Sequence, residues 1–252
     1  MLFRWLLISL SLVVMPAKGA ERWVSLNQCV DQLLMRWAPQ QLNGVTYLSR
    51  TATEWPSHNG SLESILSLRP DRVIATEFTD PRLVERLQQY TKVTVLPQPQ
   101  TWQDYQQWLQ QLAELGLQAQ VDQHAKQTRN ALARLATEPQ QVVLVMPNQW
   151  SWGENTWADT LINQLAWQNQ SAELGQGLVA LDLEQLIQWQ PDTVVLEGFS
   201  EQSFALANSW QQHPLLRDWL KRQKVVRISA DTAACPVVNI QQYLAVLGGE
   251  TR

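Results

Sequence analysis

Two segments of this 252-residue chain repeat one another. Ser61 to Thr76 reads SLESILSLRPDRVIAT, and Asp182 to Glu197 reads DLEQLIQWQPDTVVLE. At a constant offset of 121 residues (61 to 182), Leu62, Glu63, Pro70, Asp71 and Val73 fall on Leu183, Glu184, Pro191, Asp192 and Val194. Each copy predicts a helix that feeds a strand. Ser61 and Asp182 suit the position before a helix, where a side-chain oxygen accepts a backbone N–H bond. Leu62, Ile65 and Leu66, and again Leu183, Leu186 and Ile187, recur at helical spacing. The proline stops the helix ahead of it, and Val73-Ile74-Ala75 or Val194-Val195-Leu196 follows as a buried strand. A helix and strand used twice, about half a chain apart, predict two similar α/β lobes with parallel sheets rather than one large sheet. Two lobes make a cleft, and function is expected there.

Composition narrows the partners. At 45% hydrophobic and 17% charged residues the chain is globular, and its net charge of −4 offers no basic surface for nucleic acid. Residues 1–19 read as a cleavable signal peptide: Arg4 is the positive start, Trp5 to Met15 the apolar run, and Ala17-Lys18-Gly19 the small-x-small site. The run is shorter than the roughly 20 residues a membrane-spanning helix needs. Loss of Arg4 and Lys18 takes the formal charge from −4 to −6. An exported, soluble protein is expected. In an oxidising compartment the two cysteines, Cys29 and Cys235, are expected to pair, tying the loop after the last strand to the first lobe. Two separate buried thiols are the alternative.

The first lobe, residues 20–115, alternates strand Trp23–Leu26, helix Val30–Trp37, strand Val45–Tyr47, helix Leu62–Leu68, strand Arg72–Thr76, a helix from Asp80-Pro81 to Tyr90, and strand Lys92–Leu96. Residues Thr101 to Glu138 contain no strand pattern. Helix Trp102–Leu115 ends at Gly116, and a second from Gln118 to Ala136 would be roughly 28 Å long at 1.5 Å per residue. Residues 116–137 are therefore expected to form a stiff backbone helix between lobes. The second lobe, residues 138–252, restarts with strand Gln141–Met146, loop Pro147–Asn155 and helix Thr156–Gln168. The repeated helix and strand come next, then helices Phe204–Trp210 and Leu215–Leu220, strand Lys224–Ile228 and a last helix near Val237–Leu247.

Arg22-Trp23-Val24-Ser25-Leu26-Asn27, the paired L-E-x-x-x-x-x-x-P-D segments and the central helix resemble the periplasmic substrate-binding proteins of cobalamin and ferric-siderophore ABC importers. Ser25 to Leu34, with its cysteine, is similar to a proteobacterial branch of that family. The resemblance implies two Rossmann-like lobes joined by one long helix, a metal chelate held between them, and delivery to an inner-membrane permease. Glu63 and Glu184 sit about 100° around the helix from the leucine before them and point outward. The family uses acids at these positions to engage permease arginines. An acid complementing the helix dipole is the plainer alternative.

The cleft is expected to be lined by loops at strand ends. Tyr47, Arg50, Trp55, His58, Trp150 and Trp152 lie in those loops. The flat tryptophan rings suit a macrocycle or aromatic chelate, and Arg50 and His58 are the polar candidates. So few cations favour a neutral ligand such as a corrinoid over an anionic ferric siderophore. His58, His124 and His213 do not cluster, so no metal site and no bound cofactor is assigned. No Gly-rich phosphate loop, G-x-S-x-G elbow or metal-spaced histidine pair is present, so no residue is assigned a catalytic role. An exported enzyme on this scaffold, or a receptor that binds a protein without transport, are the alternatives.

Overall fold

The computed structural model describes residues 20–49, 54–135, 138–199 and 206–249. The expected signal peptide lies outside them. No helix among the described residues is long and apolar enough to cross a membrane.

The first lobe contains β1 (Trp23–Ser25), α1 (Gln28–Trp37), β2 (Leu42–Thr46), β3 (Ser57–His58), α2 (Leu62–Ser67), β4 (Arg72–Thr76), α3 (Pro81–Gln88) and β5 (Lys92–Leu96). Its sheet runs β3-β2-β1-β4-β5, every pair parallel. β2 starts three residues before the expected Val45, because Asn43 and Gly44 interrupt the apolar run that marks it in sequence. At Gly44 the sheet packs close to α2's end, and an added Cβ would force the Leu68 side chain to shift.

The second lobe contains β6 (Gln141–Val145), β7 (Trp150–Trp152), α6 (Trp157–Gln164), β8 (Gln168–Asn169), β9 (Leu178–Ala180), α7 (Leu183–Trp189), β10 (Thr193–Glu197), α8 (Pro214–Leu220), β11 (Lys224–Ile228), α9 (Ala230–Ala234) and α10 (Ile240–Leu247); α4 (Trp102–Leu112) and α5 (Gln118–Leu135) connect the lobes. The parallel sheet runs β11-β10-β6-β8, and β7 and β9 form a separate antiparallel ribbon. Two expectations need correction here. The predicted loop Pro147–Asn155 holds β7, whose three residues are too few to show a strand period. The predicted helix to Gln168 stops at Gln164, where Ala166 takes φ 55° and Trp167 turns into the core. Of the helix expected at Phe204–Trp210, the first two residues lie outside the described residues, and Leu206–Gln212 forms a 3-10 helix.

The sequence repeat has a structural meaning. β4 and β10 are equivalent strands, and each is preceded by an aspartate that secures the strand beside it. Asp71 accepts the Arg22 backbone N–H at 2.9 Å and both Nε and Nη2 of its guanidinium at 3.0 Å. Asp192 accepts the Gln141 backbone N–H at 2.8 Å. Arg22 leads into β1 and Gln141 opens β6, the neighbours of β4 and β10. The helix caps match as well: Ser61 accepts from Ser64 N, and Asp182 from Glu184 N.

The lobes share a core. Gly116, at φ 89°, breaks the path between α4 and α5, where a side chain would be strained. One apolar cluster then joins Leu33 and Leu34 of α1, Leu112, Val121 of α5, Leu144 of β6, Leu161 of α6, and Ile240 and Leu244 of α10. The C-terminal segment thus returns to the first lobe. Arg36 Nη2 donates to Val238 O (3.3 Å) and Asn239 Oδ1 (3.0 Å), and Asn239 Nδ2 donates to Gln32 Oε1 (3.0 Å). Cys29 and Cys235 form a disulfide across this contact, with Cα atoms 5.2 Å apart. His124 of α5 is buried beneath it against the Trp37 ring edge, with Nδ1 2.8 Å from Gln241 Nε2. Burial, and then the Arg36 charge, push its pKa down to about 4, which keeps it neutral.

Candidate ligand cleft

Parallel strands bring their carboxyl ends to one edge of a sheet, and in open α/β sheets ligands bind there. The repeat puts Thr76 at the end of β4 and Glu197 at the end of β10. Beyond these ends lies a cavity with an empty volume of about 930 Å³, counting its open mouth. Phe78 and the segment Gln98–Gln100 line it from the first lobe, and Trp152, Trp157, Glu197 and Tyr243 from the second.

The walls are mainly apolar. Trp150 pairs with Ala180 and Trp152 with Leu178 across the β7/β9 ribbon. Alternation along a strand puts these four side chains on one face. Ser151, on the other face, is fully buried and donates to Leu144 O while lying 2.6 Å from Ser171 Oγ. That anchor holds the ribbon down and leaves Trp150 and Leu178 exposed. Gly153 follows because a Cβ there would strike the Gly175 carbonyl. Across the cleft Phe78 is 75% exposed, a large area of ring without a protein partner. Behind the cavity, Trp157 stacks on Trp102 (centroids 6.2 Å, planes 5° apart) and Thr160 Oγ1 donates to Gln100 O at 2.6 Å, so α6 is fastened to the first lobe.

Glu197 is the ionisable residue at the floor. It is 3% exposed, and its Oε2 accepts the Tyr243 hydroxyl at 3.1 Å. Burial raises its pKa to about 7, although hydrogen bonds from Tyr243 and Trp152 pull the other way. Burial, together with the Glu197 charge and hydrogen bond, holds the Tyr243 hydroxyl well above its ordinary range.

The residues singled out from sequence fall in different places. Trp152 lines the cavity, and Trp150 shares its ribbon face. Both are on a strand, not in the expected loop. Tyr47 is exposed at the end of β2, beside a second, shallower depression that Phe78 shares with the main cleft. Its turn is held from below by buried Asp31, which accepts from Thr46 N (3.0 Å), Thr46 Oγ1 (2.8 Å) and Ser49 Oγ (2.6 Å). Trp55 is half-buried and packs on the shared core instead of lining the main cavity. His58 is buried: Nε2 donates to Ser25 O at 2.7 Å and Nδ1 accepts from Gly60 N at 3.2 Å. Both ring nitrogens are engaged by the fold, while the ring borders the depression beside Tyr47 rather than the main cavity. Arg50 lies outside the described residues. Glu63 and Glu184 are exposed at the second position of α2 and α7; Glu63 Oε1 is 3.9 Å from Arg86 Nη2.

Sequence reasoning passed over Glu197, Phe78, Trp157 and Tyr243. Glu197 carried a signal, being the one charged residue closing an otherwise apolar strand of the repeat. Tyr243 carried none, since it reaches the cleft from the last helix. Among the described residues no group of three or more His, Cys, Asp or Glu could hold a metal ion.

Two parallel-sheet lobes with a helical connection thus leave an aromatic cleft at equivalent strand ends. The model of the periplasmic binding protein family matches residues 51–220, and the chain belongs to that family. It is 25% identical over 187 residues to the Fe(3+) dicitrate-binding periplasmic protein FecB of Escherichia coli, a match covering 69% of this chain and 61% of that relative's length. Two solved structures share the fold. The periplasmic heme-binding protein HutB of Vibrio cholerae superposes with a TM-score of 0.70 at 20% identity, covering 90% of this chain and 98% of that one. The periplasmic vitamin B12-binding protein BtuF of the same organism gives 0.64 at 16% identity, covering 92% and 99%.

Proposed function

We propose that this protein is the periplasmic receptor of an ABC importer, acting as a monomer that captures a metal chelate between its lobes and presents it to an inner-membrane permease. The observation that carries the reading is the open cavity at the ends of β4 and β10, walled largely by aromatic rings, with Phe78 exposed at its edge. Such rings bury a large area at little entropic cost, which suits a flat or macrocyclic ligand. Family membership supports a binding role, and the iron dicitrate, heme and vitamin B12 relatives supply the candidate ligands. The apolar walls favour a corrinoid or a similar macrocycle over a small anionic chelate.

Truncating the best-placed ring tests the site. Trp152→Ala is expected to cost about 2 kcal/mol of binding, roughly thirtyfold in affinity. Tryptophan fluorescence titrated with vitamin B12, heme and ferric dicitrate reads this out. A variant that binds every one of these as the native protein does would move the site elsewhere.

Glu63 and Glu184 are proposed to meet the permease, one from each lobe. Two separated charge pairs fix orientation even though each exposed pair contributes only about 0–1 kcal/mol. Glu63→Lys with Glu184→Lys is expected to leave ligand affinity unchanged and to abolish uptake in cells, since reversal sets like charges against each other. Normal uptake by the double variant would reduce both acids to helix-start charges.

A further inference from the structure

Glu197 stands apart from everything around it. An ionisable group inside an apolar sheet is costly unless something compensates it, and the other four residues of β10 are Thr, Val, Val and Leu. The equivalent position of the first lobe is Thr76, so the shared architecture does not require an acid there. The groups set around Glu197 are Tyr243 from α10, Trp152 from β7 and the paired Ile228 from β11. Tyr243 is the titratable one of these, and it donates to a single oxygen, Oε2. The carboxyl borders the cavity rather than the interior of the sheet.

We propose that Glu197 is the polar recognition point of the cleft, accepting hydrogen bonds from N–H or O–H donors carried by an otherwise apolar-faced ligand. This rests on the chelate-receptor reading and deepens it by naming the ligand chemistry. Tyr243 orients the carboxyl through Oε2, and Trp152 sits over it as part of the wall. A ligand with peripheral amides or amines satisfies the group, whereas one with peripheral carboxylates sets like charge against it in a site of low polarity. Amide-bearing corrinoids fall on the favoured side; a citrate chelate falls on the other. A carboxylate accepts stronger hydrogen bonds than a neutral carboxyl. Because burial holds this group near pH 7, a donor ligand binds more tightly above that pH than below it, and a carboxylate-rich ligand shows the reverse.

The test is the affinity of the purified, disulfide-intact protein for vitamin B12, heme and ferric dicitrate between pH 5.5 and 8.5, beside Glu197→Gln. Vitamin B12 is expected to bind about tenfold more tightly at pH 8.5 than at pH 5.5. Glu197→Gln is expected to lose most of that dependence and to bind about tenfold more weakly at the upper end. Thermal melting checks that the variant folds; if it does not, the pH profile of the native protein decides alone. A flat profile with vitamin B12 bound, or an unchanged Gln variant, overturns the role of Glu197 and leaves the receptor reading standing. Ferric dicitrate binding more tightly than vitamin B12 at pH 8.5, where the carboxyl is charged, overturns it as well. Failure of all three probes to bind removes the chelate-receptor reading and this inference with it.

Discussion

Replacing Cys235 with serine is expected to lower the free energy of unfolding by about 5 kcal/mol in the chain-entropy description of a cross-link. The bond joins residues separated by 206 positions, so it restricts almost the whole unfolded chain. It also joins the start of α1 to the segment that docks α10. Its loss therefore frees the denatured state and loosens a native contact together. Urea unfolding of Cys235→Ser, and of the native protein under reductant, measures the effect. Coincident denaturation midpoints for oxidised and reduced protein would show that the bond is structurally idle. Thiol labelling of unfolded, unreduced native protein should find no reactive cysteine.

Trp157→Ala is expected to cost about 3–5 kcal/mol, the range for removing a large aromatic side chain from a packed interior. Trp157 is 6% exposed, stacks on Trp102 and lies 5.3 Å from the Tyr105 ring centroid. Those partners belong to α4, so the ring fastens α6 to the helical connection and also forms part of the cavity wall. Trp157→Phe retains much of the packing and should recover more than half of the lost stability. Equal destabilisation by both substitutions would mean that something other than ring volume is being measured.

The repeat made the two-lobed plan legible because three local signals agreed at each copy: a capping side chain, a helical apolar stripe, and a proline before a β-branched run. Where those signals agree, sequence and structure coincide closely, as in β4 and β10. They diverge where tertiary contact decides. β7 is three residues long and exists because Ser151 is pinned to the β6 carbonyl beneath it. α6 ends early because the core accepts Trp167. The cleft was legible as a place and less so as a set of side chains. Trp152, a candidate from its place near a strand end, lines the cavity. Trp55 and His58 occupy similar positions in the chain but turn inward, and composition does not report the direction of a side chain. Tyr243 lies 46 residues from Glu197, and no local pattern connects them.

The last segment of the chain completes the first lobe. α1 and α5 are made early, yet the apolar faces they present are covered by Ile240, Tyr243, Leu244 and Leu247. Domains made one after another ordinarily fold in order of synthesis. Here the leading portion keeps an open core face until the final helix arrives and the cysteines can meet. The first lobe therefore gains its full stability only when the final helix docks, and a chain cut short before Cys235 should lose stability in both halves at once.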